Sequence, residues 1–127
     1  MRARAFALLA VSALAVSAVA PRPAFAHASL LEAKPGRRAV VASVPARVVL
    51  VFTDALEEAF STVSVFSAGG ERVDTGDVRV LATDPHELSV GLPPDLPAGA
   101  YTVKYRVLSA DGHVVEGSYR FTVKPGP

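Results

Sequence analysis

Asp111 and His113 stand two residues apart in the run Ser109-Ala110-Asp111-Gly112-His113, and a further metal-binding residue type, His27, lies far upstream. A neutral imidazole is a common ligand for copper, zinc, nickel and iron, so a single histidine leaves the metal open. An N-terminal histidine is more specific, because its α-amine and ring Nδ1 close a six-membered chelate on one ion. If His27 begins the mature chain, that chelate facing the imidazole of His113 and the carboxylate of Asp111 makes three nitrogens and one oxygen. Such a set suits square-planar or tetragonal Cu(II). Gly112 between the two later donors permits tight backbone geometry, and copper heads the affinity order of the divalent metals.

The donors that are missing narrow the chemistry further. The chain has no cysteine, and its one methionine is Met1. Thiolate and thioether ligands suited to Cu(I) are therefore absent from any processed form, and an oxidised-copper site that weakens on reduction is expected.

Whether His27 becomes a terminus depends on residues 1–26, which have the three-part form of a secretory signal. Arg2 and Arg4 open it, no charge interrupts Phe6 to Ala20, and Ala24-Phe25-Ala26 supplies small residues at the positions a signal peptidase reads. The apolar run is short of the roughly 20 residues a membrane helix needs. Cleavage after Ala20 would place Pro21 first, and cleavage after Ala28 would discard His27; the leader pattern favours Ala26. The expected organisation is a cleaved signal at 1–26 and one domain over 27–127, with no membrane span in the mature part. Arg2, Arg4 and Arg22 leave with the leader, so thirteen basic residues become ten against twelve acidic, a net charge of −2. No basic cluster is evident in the sequence that could track a phosphate backbone, so nucleic-acid binding is not expected.

The intervening residues read as strands. Short strands are expected at 29–33, 46–53, 62–67, 78–81 and 87–92, and longer ones at 100–108 and 118–124. In the first long strand Tyr101, Val103, Tyr105 and Val107 alternate with Thr102, Lys104 and Arg106, the pattern of a sheet with one solvated face. Lys34-Pro35-Gly36, Gly69-Gly70 and Asp84-Pro85 read as turns, and Ala55 to Phe60 as a connecting turn with a slight helical leaning. About seven strands with frequent turns and no convincing helix predict an all-β, antiparallel Greek-key β-sandwich of Ig-like or cupredoxin-like topology.

Each candidate also has a plainer explanation. Asp-Gly is first a turn signal, His86 reads as an inert surface histidine, and Asp54 at a strand end is most simply a solvated turn residue. What raises Asp111 and His113 above a hairpin loop is their conjunction with His27.

Taken together, the motifs resemble the CopC family of periplasmic copper-binding proteins. The resemblance is carried by His27 after the leader, Lys34-Pro35, Val51-Phe52-Thr53-Asp54, Leu96-Pro97-Ala98-Gly99-Ala100-Tyr101, Ser109 to His113, and Gly117 with Phe121. It implies Cu(II) ligation by His27, Asp111 and His113, with Asp54 near the metal, where its side chain is shorter than the glutamate that can occupy this position. It implies an exported, periplasmic or secreted, monomeric carrier or buffer in copper homeostasis or resistance, not an enzyme, delivering to a CopD-like inner-membrane transporter. The methionine-rich Cu(I) loop of some relatives has no counterpart, which likens this chain to the Cu(II)-only members. Two other classes compete: a copper monooxygenase of the N-terminal-histidine kind, which peroxide production with a reductant would reveal, and an adhesive sandwich domain without metal.

Overall fold

A computed structural model describes residues 13, 15–20 and 29–126. His27 and most of the leader lie outside the described residues, and residues 15–20 are exposed without regular secondary structure. Among the described residues no helix is long and apolar enough to cross a membrane.

Eight strands form two four-stranded sheets. They are β1 (Leu30–Lys34), β2 (Val40–Val41), β3 (Arg47–Phe52), β4 (Thr62–Ser67), β5 (Arg79–Leu81), β6 (Asp84–Gly91), β7 (Gly99–Leu108) and β8 (Val114–Val123). One sheet runs β1-β3-β6-β5 and the other β2-β8-β7-β4. The all-β sandwich is as the alternation predicts, because β-branched and aromatic residues at every second position can turn inward together. Val48, Leu50, Phe52, Leu88 and Val90 from the first sheet meet Val63, Val65, Val103, Val107 and Phe121 from the second, all essentially buried. Tyr101 stacks on Phe121 at 5.6 Å between centroids, and Phe52 meets the edge of Tyr105 at 5.5 Å.

Several sequence expectations need correction. Val40–Val41 is an additional strand, and it pairs parallel with β8, so the second sheet is mixed. The reversal between β5 and β6 falls at Ala82-Thr83, not at Asp84-Pro85, which already belong to β6. The physical reason lies in the ladder: Val80 pairs with Leu88 but Leu81 with Asp84, leaving Pro85, His86 and Glu87 as a bulge. A proline, lacking an N–H, is tolerated in a bulge near a strand start. The last strand begins at Val114, not Ser118, so the loop carrying Asp111 and His113 is shorter than expected and is clamped by two ten-residue strands.

Gly117 in β8 faces Tyr105 in β7, and a Cβ there would run into the phenol ring and hydroxyl. Because that ring also packs on Phe52, it has little room to retreat. Gly117→Ala is expected to cost about 1–3 kcal/mol, as overpacking typically does, read as a lower midpoint in urea with unchanged slope.

Candidate metal centre

The hairpin between β7 and β8 is a small hydrogen-bonded unit. Continuing the inward alternation of β7 past Leu108 puts Ser109 on the core side, where it is fully buried. The Ser109 backbone N–H donates to the His113 carbonyl at 2.9 Å, and Gly112 N–H donates to the Ser109 carbonyl at 2.9 Å. Gly112 adopts a φ of 90°, in the left-handed region that favours glycine. The Ser109 hydroxyl donates to Asp111 Oδ1 and accepts from the His113 backbone N–H at 3.2 Å. Its side chain thus anchors both candidate ligands from beneath.

Above that anchor the two candidate side chains converge. His113 Nδ1 lies 3.1 Å from Asp111 Oδ2, and both side chains are about half exposed, at 46% and 45%. The Ser109 hydroxyl, and after it the His113 ring, hold the Asp111 carboxyl below the usual carboxylate range. It is therefore an anion at neutral pH, the form that binds a cation.

One segment ties this hairpin to the start of the domain. Thr53 N–H donates to the Ser29 carbonyl at 2.9 Å, and Ser29 N–H donates to Thr53 Oγ1 at 2.8 Å. Two residues on, the Ala55 carbonyl accepts from Ala110 N–H at 2.8 Å. Glu57 N–H then donates to the Leu108 carbonyl and Leu56 N–H to the Pro85 carbonyl, each at 2.9 Å. Residues 53–57 therefore act as a buckle between β1, the β5–β6 hairpin and the β7–β8 hairpin.

The sequence-predicted residues fare differently. Asp111 and His113 are brought together. Asp54 lies within the buckle, half-buried, but among the described residues no three His, Cys, Asp or Glu side chains gather as a metal-holding group. Asp54 thus does not join the other two. His27 lies outside the described residues; the chain two positions later, at Ser29, is fixed beside Thr53. His86 pairs with its own neighbour Asp84, Nδ1 to Oδ1 at 3.1 Å. Ser109 and Thr53 were missed as positioning residues. For Ser109 the signal was available, a polar residue falling on the inner face of an otherwise apolar register.

Ser109→Ala leaves the hairpin without its anchor. The expected loss is about 1–3 kcal/mol of stability, the range for removing one partner of buried hydrogen bonds. Copper affinity is expected to fall about 10- to 100-fold, as when an outer-shell partner of a ligand is removed. Thermal melts and metal competition on the same variant check the two effects separately.

Comparison with known proteins agrees with this architecture. The family model described as the CopC domain matches residues 30–124. The crystal structure of CopC from Methylosinus trichosporium OB3b superposes with a TM-score of 0.74 at 40% identity, covering 80% of this chain and 97% of that one. PcoC, a methionine-rich copper resistance protein from Escherichia coli, does so with a TM-score of 0.68 at 31% identity, covering 78% of this chain and all of PcoC. The copper transport protein CutJ of Bacillus subtilis (strain 168) is 34% identical over 103 residues, 81% of this chain but 19% of CutJ. This chain therefore spans about a fifth of the length of that relative. With the sandwich, the register and the Asp111–His113 hairpin all in place, the chain belongs to the CopC family.

Proposed function

We propose that this protein is exported, trimmed to begin at His27, and binds one Cu(II) ion through the His27 amine and ring, Asp111 and His113, acting as a copper carrier or buffer outside the cytoplasm. Asp54, in the same buckle, adds negative charge to the surroundings without being one of the ligands. The observation that carries this reading is the buckle: three consecutive residues, 53–55, hold Ser29 on one side and Ala110 on the other. Ser29, two residues after the proposed terminus, is thereby tied through the buckle to the hairpin that presents Asp111 and His113.

The donor set supports the oxidised state. PcoC is described as methionine-rich, whereas this chain has Met1 alone and no cysteine, so hard and borderline donors remain and Cu(II) is favoured. A carboxylate ligand also disfavours reduction, which argues for carriage rather than oxygen chemistry. That this chain matches one part of a longer copper transport protein supports delivery to a separate CopD-like transporter.

Titration of mature 27–127 with Cu(II) tests the proposal. One tight site is expected, with no comparable site for Cu(I) and negligible peroxide production with ascorbate. Amine and imidazole donors must lose protons to bind, so protons compete with copper for them. The apparent Cu(II) affinity should therefore weaken as pH is lowered from 8 to 5, while the Asp111 carboxylate, held below the usual carboxylate range, stays charged. A flat response from pH 8 to pH 5 would rule these donors out.

A further inference from the structure

The outer face of the second sheet carries a feature the copper site does not use. In β7 and β8 the even-numbered residues point away from the core, and the register sets Phe66, Thr102 and Arg120 in one row and Ser64, Lys104 and Ser118 in the next. The turn after β1 adds Arg37 and Arg38, with the Arg38 N–H donating to the Arg120 carbonyl at 2.7 Å. Arg37, Arg38, Lys104 and Arg120 thus surround one cleft of about 680 Å³, and no carboxylate lines it.

Elsewhere, most cations among the described residues are neutralised locally. Lys34, Arg47, Arg72, Arg79 and Arg106 each lie within ion-pair distance of an aspartate or glutamate. Among the described residues none of the four cleft cations does. Lys104 instead sits over the Phe66 ring at 5.2 Å, which holds the ammonium inside the cleft. Arg38 is held at a φ of 61°, an unusual conformation for a non-glycine residue that fixes where the turn projects. Four uncompensated positive charges on one concave face, in a domain whose charge from residue 27 onward is −2, form a local field opposite in sign to the whole.

We propose that this cleft is the docking site for an acidic, extended segment of a partner protein, one that presents several carboxylates. Arginine forks bind carboxylates in pairs, and the hydroxyls of Thr102 and Ser118 lie between the charges to meet a peptide backbone. The space exceeds that of a single small anion. A flat bilayer would touch the rim and leave the floor unfilled. The cleft lies on the strand faces, away from the Asp111–His113 hairpin, so a partner can be held while that hairpin stays accessible. The docking site does not depend on the copper reading.

The test uses the metal-free mature protein and a fluorescein-labelled nine-residue peptide of alternating aspartate and glutamate with glycine spacers. Its amide counterpart, with asparagine and glutamine, serves as the control. Binding of the acidic peptide alone is expected, weakened at least about tenfold by Lys104→Glu with Arg120→Glu and by higher salt. Lys34→Glu with Arg79→Glu changes the net charge equally on the other sheet and should alter binding less than about twofold. Arg37→Gln with Arg38→Gly, which suits the backbone at position 38, supplies a second cleft variant should the first fail to fold. Equal loss from both charge reversals, equal binding of the amide peptide, or no peptide binding with cleft-dependent sedimentation on phosphatidylglycerol vesicles would each overturn the proposal.

Discussion

His113→Ala is expected to lower Cu(II) affinity at least about a hundredfold, more than the 10- to 100-fold cost of removing an outer-shell partner. The substitution removes one of the proposed nitrogen donors and leaves Asp111 without the ring 3.1 Å away. The fold should not follow. The His113 side chain is about half exposed at 46%, while the bonds that close the hairpin use the His113 backbone N–H and carbonyl, which alanine keeps. The melting temperature of the metal-free variant should therefore match that of the parent within a degree or two, and copper competition should separate them. Affinity within threefold of the parent would remove the β7–β8 hairpin from the metal site.

An effect of similar size is expected at the other end. Extending His27 by an N-terminal acetyl group takes the α-amine out of play and breaks the six-membered chelate, though every side chain is kept. A second donor on the same residue binds intramolecularly, and losing such linkage costs roughly a hundredfold or more. The extended chain should bind copper at least about a hundredfold more weakly while its metal-free melting curve is unchanged, since the ladder begins at Leu30. Electron paramagnetic resonance of the Cu(II) form should also report one fewer nitrogen in the plane. If the extended protein binds as tightly as the mature one, the terminal chelate plays no part.

The two halves of the candidate site were unequally legible in the sequence. Asp111 and His113 needed no folding to be read as a pair, because a two-residue spacing across a glycine brings them together locally. Asp54 was different: whether a carboxylate 57 positions earlier reaches the same ion depends on the path of the buckle, and here no three-ligand group forms among the described residues. The fold was readable where the alternation is long, as in Tyr101 to Val107, and failed where it is short. Val40–Val41 is two residues whose pairing with Thr122 and Val123 lies at the far end of the chain, and no local pattern encodes that contact. Asp84-Pro85 misled for the opposite reason. A strong local turn signal was overridden by pairing of Asp84 with Leu81 and absorption of the proline into a bulge. The basic cleft was invisible because Arg37, Arg38, Lys104 and Arg120 are dispersed and only the register gathers them.

Ser109 closes the apolar interior from above, and the proposed ligands on the hairpin stand outside that lid. An ion held there does not prop up the packed side chains below, although the proposed ligand set ties the His27 end of the chain to the β7–β8 hairpin. The emptied protein should therefore keep its shape, though with a lower melting point than the loaded one, as linkage requires of an ion bound only by the folded state, and be ready at once for another load. A carrier of the proposed kind that survives unloading can make repeated trips.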